Sequence, residues 1–251
     1  REPRLDLARG LGSLVTVRVS RAGADQRAGR AGRQGPGTVY RCWSAGDHDR
    51  LPDRPQPEIA CADLTGFALA LACWGVPDGA GLALMDQPPA SAVEVAGSTL
   101  RWLGAVGRDG RVTARGRAMA LAGTHPRLAR ALLDGSRSVG ADRAAQVVAL
   151  LSEDGLAGGR DDLPEVLRAL RNGSDPRSGR WRDEVRRLRA GQRAAAGNGR
   201  PHRRPDGRTD RGPEDLPDDL AAAAVVALAF PERIARARRP GSGTYLMANG
   251  T

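Results

Sequence analysis

Gln26, Gly29, Arg30 and Arg33 have the types and spacing to receive an anion. They fall within the string Gln26-Arg27-Ala28-Gly29-Arg30-Ala31-Gly32-Arg33. On a helix Gln26, Arg30 and Arg33 would stand at i, i+4 and i+7, so their side chains would leave from one face. Gly29 would sit on that face between Gln26 and Arg30, where a missing side chain lets a bulky anion approach the backbone. Two guanidiniums offer planar, multi-donor contacts to phosphate oxygens, and an amide between them can orient a water. Ser20 and Asp25 read as a cap and a first-turn acid for that helix. The competing reading is an ordinary arginine-rich helix on a solvated face, since charge runs are usually solvated.

The elements around the string must position it. Leu14-Val15-Thr16-Val17-Arg18-Val19 alternates with period two and predicts a strand before the helix. Gln34-Gly35-Pro36-Gly37 predicts a turn, and residues 38–43 a second strand. A strand–helix–strand ending fits the edge of an α/β sheet domain. Residues 44–57 are proline-rich and predict an irregular linker.

Beyond residue 57 the pattern becomes helical. Ile59, Leu64, Phe67, Ala68, Leu71 and Trp74 recur at helical spacing, with Gly75 as a stop. A helix over 90–103 carries Val93, Ala96, Leu100 and Leu103 on one face and exits at Gly104. Asp109-Gly110 is a hairpin-turn signal between two short apolar pieces. Further helices are predicted over 115–121, 126–133, 142–152, 163–171 and 181–189. Pro126 and Pro164 suit first turns, and Gly135, Gly155 and Gly173 suit stops. His125, before a proline, reads as a capping or packing residue. Arg127, Arg130 and Arg137 could meet phosphates, but nothing in the pattern singles them out. Residues 191–215 hold Gly, Arg, Pro and Asp without apolar anchors and predict a flexible insert. A helix over 219–230 is nearly all Ala, Val and Leu and predicts burial. Residues 243–250 read as a strand entering a turn.

Composition bounds the rest. The chain has 251 residues, 40% of them hydrophobic but only 3% aromatic, and a net charge of +10. The basic excess suits a polyanionic partner; the scarcity of aromatics argues against an extended base-stacking platform. Every one of the 39 basic residues is arginine. A phosphate-cradling G-x-x-x-x-G-K-[ST] loop therefore cannot exist in this sequence. No Asp-Glu-Ala-His string is present either. Cys42, Cys61 and Cys73 are far apart and share no ligand spacing with His48, His125 or His202, so neither a metal site nor a disulfide framework is expected. The longest apolar runs fall short of the ~18 residues of a membrane span, and a reducing cytoplasm is the default expectation. The sequence does not open on Met and starts and stops inside recognisable patterns, so it reads as a fragment.

The full eight-residue string resembles motif VI of the DEAH-box class of superfamily 2 helicases. The flanking Val17-Arg18-Val19-Ser20, Ala24-Asp25-Gln26 and Pro36-Gly37-Thr38-Val39-Tyr40-Arg41-Cys42-Trp43 are similar to bacterial members of that class. Gly23 departs from the family, which more often has Ser there. The resemblance implies a mixed α/β but mostly α fragment. Residues 1–45 would end a second RecA-like domain, 57–115 would form a winged helix, and 116–230 a ratchet-type helical bundle with its insert at 191–215. Residues 231–251 would open a further domain. It also implies ATP and Mg²⁺ as cofactors, both held mainly by a part of the protein absent here, and single-stranded RNA as partner, with DNA left open. Gln26 would position the attacking water; Arg30 and Arg33 would hold the γ-phosphate, Arg33 as the finger-like group; Gly29 would permit close approach. The alternative is a winged-helix nucleic-acid-binding module without ATPase chemistry, using arginine-rich helices and the 107–113 hairpin.

Overall fold

The computed structural model describes residues 2–6, 11–153, 155–197, 216–239, 241 and 243–248, and the account below is of those residues. The chain is mostly helical and divides into two compact units. One comprises Arg1–Leu64 with Gly81–Ala96, the other Thr65–Ala80 with Gly97–Thr251.

The first unit opens with an antiparallel pair, β1 (Glu2–Asp6) and β2 (Leu11–Val15), in the register Glu2↔Val15 to Asp6↔Leu11. Helix α1 (Arg21–Ala31) follows, then a short α2 (Ala45–Asp49). Two expectations are corrected here. The strand before α1 lies at Leu11–Val15 rather than 14–19, and residues 38–43 form no strand. A strand exists only where a ladder partner satisfies its backbone groups, and alternation alone does not supply one. Val39, Tyr40 and Trp43 consequently stand exposed, Tyr40 by 87%. Within the linker expected at 44–57, α2 forms because the Ser44 hydroxyl accepts from the Asp47 N–H at 3.1 Å, a side-chain N-cap.

The second unit is a helical assembly. It holds α3 (Thr65–Trp74), the end of α4 (Ala90–Trp102), α5 (Ala114–Leu121), α6 (Pro126–Ser138), α7 (Ala141–Ser152), α8 (Leu163–Asn172), α9 (Ser178–Gly197) and α10 (Asp218–Ala229). A small antiparallel pair, β3 (Ala235–Ala237) and β4 (Tyr245–Met247), follows. The turn read at Asp109-Gly110 is present. Val106 and Val112 bridge across it, Gly110 has φ +76°, and the Asp109 carboxylate accepts from the Arg111 N–H at 3.1 Å. Thr113 then caps α5 by accepting from the Gly116 N–H at 2.9 Å while its hydroxyl donates to the Gly104 carbonyl at 2.7 Å. A Cβ at Gly116 would overlap the Ala105 carbonyl oxygen, so the helix start and the hairpin meet backbone to backbone.

Small residues set the core. On α6, Leu128, Ala129, Ala131, Leu132 and Gly135 are buried; on α7, Ala144, Ala145 and the run Val147–Leu150; on α10, Ala221, Ala222, Val225 and Ala229. Gly135 is not the helix stop its type suggested. It lies inside α6, where a Cβ would come within 3.3 Å of both Ala144 and Val225, so three helices converge on it. Gly173 does end α8, at φ +74°. Helix α9 buries Ser178, Trp181, Glu184, Leu188, Gln192 and Ala195 at three- and four-residue spacing. Residues 191–197 therefore continue a helix instead of starting a flexible insert; they pack through Gln192 and small residues, not large apolar anchors. The rest of that insert, 198–215, lies outside the described residues. Trp74, read at helical spacing with Leu71, is exposed in the last turn of α3. Leu220, on the nearly all-apolar α10, is likewise exposed.

Carboxylates held by arginines tie the loops to α9. Asp175 is buried and accepts from the Arg177 N–H and side chain at 2.7–2.9 Å and from Arg160 at 2.7 Å. The Arg177 hydrogen bonds, with Arg160 adding to them, hold its carboxyl well below the usual range. Glu184 is lowered as well, first by Arg187 and then by the Ser152 hydroxyl. A carboxyl whose pKa is depressed by folding contributes stability that is present above its unfolded value and is lost as pH falls through the folded one. The helical signal, followed by circular dichroism in denaturant, should therefore be pH-independent near neutrality and fall once pH drops below about 4. Asp175→Asn should be less stable at pH 7 and should show a shallower loss in acid; an unchanged acid profile would remove Asp175 from that role.

Candidate phosphate-binding face

Helix α1 is fixed from its amino end. The Ser20 hydroxyl accepts from the Gly23 N–H at 3.1 Å. The Arg21 and Ala22 N–H groups, orphans in an isolated helix, donate to the carbonyls of Pro52 (2.8 Å) and Asp53 (3.0 Å). The Arg21 guanidinium also pairs with the Asp53 carboxylate. Ala24 is buried, with Arg21 and Ala28 partly so on the same stripe. Gln26, Gly29 and Arg30 lie about 140–240° around the axis from Ala24, and all three are exposed. The helix thus has a packed face and an open face, and the residues singled out by chemistry occupy the open one.

Two placements differ from the sequence reading. The helix ends at Ala31 with Gly32 as C-cap, so Arg33 lies in the bend just beyond and is not on the i+7 stripe of a continuous helix. Asp25 is not a first-turn acid. It stands in the second turn and pairs with Arg41 at 2.6 Å, tying the segment after the helix back to it.

Sequence reasoning also missed Gly37. A Cβ there would overlap the Ala31 carbonyl oxygen, so the returning chain touches the last turn of α1 directly. A glycine soon after a helix end was the available signal, but it is shared by every turn.

The electrostatics favour an anion at this face. Among the described residues, Arg27, Arg30 and Arg33 make no ion pair, whereas Arg21 and Arg41 are each committed to an aspartate. The face lies toward the carboxyl end of α1, where the helix dipole is negative. Backbone N–H groups cannot serve there as they do at amino ends, so holding a phosphate requires side-chain cations, which Arg30 and Arg33 provide. A Cβ at Gly29 would meet no atom within 4 Å, so the surface between Gln26 and Arg30 is open. Donors of this kind can meet the oxygens of an anionic group. No group of three His, Cys, Asp or Glu suited to a metal ion is found among the described residues. No described helix is long and apolar enough to cross a membrane.

Elsewhere, His125 caps α6, its Nδ1 accepting from the Arg127 N–H at 3.3 Å. Arg127 pairs with Glu232 at 2.8 Å, and the Arg130 guanidinium lies over the Trp102 ring, so these two arginines are engaged inside the protein.

With this geometry, the comparisons converge on one class: the chain is similar over its whole length to a part of the DEAH-box RNA helicases. Within that class the likeness extends over the whole chain to HrpB. The ATP-dependent RNA helicase HrpB of Escherichia coli (strain K12) is 33% identical over 250 residues, which is 100% of this chain and 27% of that protein. The probable ATP-dependent RNA helicase DHR2 of Saccharomyces cerevisiae is 35% identical over 147 residues, 59% of this chain and 20% of that protein. A crystal structure of the Escherichia coli DEAH/RHA helicase HrpB matches all of this chain and 28% of its own, at 32% identity and a TM-score of 0.75. No protein-family model matches. The chain therefore spans only about a quarter of the HrpB proteins it resembles throughout.

If the Ser20 cap sets the pose of α1, Ser20→Ala should cost about 1 kcal/mol of stability. Ser20→Asp should restore most of it. Both are measurable by denaturant titration, and no loss in the alanine variant would mean that the 52–53 carbonyls suffice.

Proposed function

We propose that this chain supplies one wall of the ATP site and the nucleic-acid-guiding part of an ATP-dependent RNA helicase. The observation that carries the reading is the open face of α1, where Gln26, Gly29 and Arg30 lie exposed opposite the packed stripe, with un-ion-paired Arg33 just beyond. Gln26 orients the attacking water near the γ-phosphate. Arg30 and Arg33 hold that phosphate, and Arg33 acts on the charge that develops in the transition state. Gly29 leaves room for the approach. ATP with Mg²⁺ brings the reactive phosphoryl group; the loop that cradles the phosphates and the carboxylates that bind the metal belong to another part of the helicase.

In this reading residues 1–45 close a RecA-like domain, 57–115 are a winged helix, 116–230 a ratchet-type bundle, and 231–251 begin a further domain. Single-stranded RNA is the partner, drawn by the net positive charge, and the cytoplasm is the place of action. A winged-helix module without ATPase chemistry would leave the open arginine face unused.

The chain alone should not hydrolyse ATP, because it provides one wall only; RNA-stimulated turnover above that of a Gln26→Ala control would contradict this. In the intact helicase, Arg33→Lys keeps the charge but loses the planar fork. RNA-stimulated turnover should fall while nucleotide affinity changes little, since only a transition-state interaction is removed. Arginine fingers contribute about 10³–10⁵ in rate, and a lysine in place should lose less than that. Arg27→Lys, about 100° around the helix from Gln26, should matter less. Equal, small effects at both positions would place the nucleotide elsewhere.

A further inference from the structure

Around Trp102 the second unit builds an alternating series of guanidinium and aromatic groups. Arg130 lies over the indole, 4.7 Å from its centroid, and Arg127 lies 5.9 Å from the same ring. Arg127 is also 6.0 Å from the Phe230 ring, and Arg233 is 4.9 Å from Phe230 on its own account. The members are not equally committed. Arg127 has 12% of its side chain exposed and pairs with Glu232 at 2.8 Å. Arg130 is held less firmly: among the described residues its Nε and Nη1 are buried without a hydrogen-bond acceptor, and its ion pair with Asp134, at 3.6 Å, is to a carboxylate that Arg115 already engages at 2.5 Å. Among the described residues the four guanidiniums of this cluster (Arg115, Arg127, Arg130 and Arg233) have two carboxylate partners (Asp134 and Glu232), which leaves positive charge in excess.

Trp102 itself is 52% exposed, although the next residue, Leu103, is buried in the core. As a purely structural cover for the arginine stems, an indole gains little by leaving half of its surface in water, where an aliphatic side chain would serve. An open aromatic surface backed by an unbalanced guanidinium suits a flat, electron-rich ring attached to an anionic backbone. An acidic peptide would meet the charge but make no use of the open indole.

We propose that Trp102, backed by Arg130, is a stacking subsite for one unpaired base of a single-stranded nucleic acid. The proposal rests on the reading of this chain as the RNA-guiding part of a helicase and adds a specific contact to it. Arg130 holds the ring and contributes positive charge; the indole contributes the stacking surface. Because every base has a π face, the subsite is tolerant of sequence.

The test is binding of fluorescently labelled oligoadenylate, and of an abasic backbone of equal length, to the whole chain over a salt series. Wild type is compared with Trp102→Leu, which keeps apolar bulk without a π face, and with Trp102→Phe, which keeps a smaller one. Trp102→Leu should weaken oligoadenylate binding by about 5- to 100-fold, with Trp102→Phe between it and wild type. The slope of log affinity against log salt should not change, because no phosphate contact is lost. The abasic strand should bind all three proteins alike. Equal oligoadenylate binding by wild type and Trp102→Leu would overturn the proposal while leaving RNA binding intact. A matching loss on the abasic strand would also overturn it, by showing that the substitution acts through structure or charge. If wild type binds neither strand at low salt, the RNA-guiding reading fails, and the subsite with it. Circular dichroism of each variant checks its fold; should Trp102→Leu unfold, the Trp102→Phe comparison on the two strands decides in the same way.

Discussion

The close approach of helices through small side chains is the constraint on which the second unit depends. With few aromatics, its helices are spaced by few large rings, Trp181 among them, and the core is filled mostly by Ala, Val and Leu. Gly135 brings α6 against Ala144 and Val225, Gly116 brings α5 against the Ala105 carbonyl, and Gly191 brings α9 against the carbonyl of Ala122. Such packing is dense and intolerant of added volume. It also limits how much apolar area each residue can bury, so other interactions must complete the loops.

Arginine does much of that completion. Arg115 donates to the Leu103 carbonyl, Arg143 to Leu216, Arg177 to Gly155 and Arg187 to Gly123, each reaching across a helix end or loop. A guanidinium has enough donors to satisfy a carboxylate and a carbonyl together, which an ammonium does less well. A net charge of +10 is therefore a poor guide to how many cations are free for a polyanion. Arg27 and Arg30 on α1, and Arg33 just past its end, make none of these attachments among the described residues.

Helices were largely legible in the sequence because they are local. Pro126 and Pro164 marked starts, Gly173 marked a stop, and the Leu100–Leu103 face was plain in the spacing. The strand expected at 38–43 was not realised, since a strand depends on a partner that its own residues cannot specify. Helix α9 was underestimated because a glycine- and alanine-rich stretch looks like linker until its tight contacts are seen. The chemistry of Gln26, Gly29 and Arg30 could be read from spacing. The position of Arg33 was misread because the i+7 spacing was carried through Gly32, which caps the helix instead of continuing it. The Trp102 cluster joins residues from distant parts of the sequence, and no local pattern announces it.

The contact between Gly37 and the Ala31 carbonyl limits how this part of the sequence can vary. Where a clash arises between two side chains, shrinking one can offset enlarging the other. Here the obstructing atom belongs to the main chain and is the same whatever residue occupies position 31. No second-site replacement of that side chain can make room for a Cβ at position 37. The two positions are thus not exchangeable partners, and variation at position 37 must come with a displacement of the backbone at one of them.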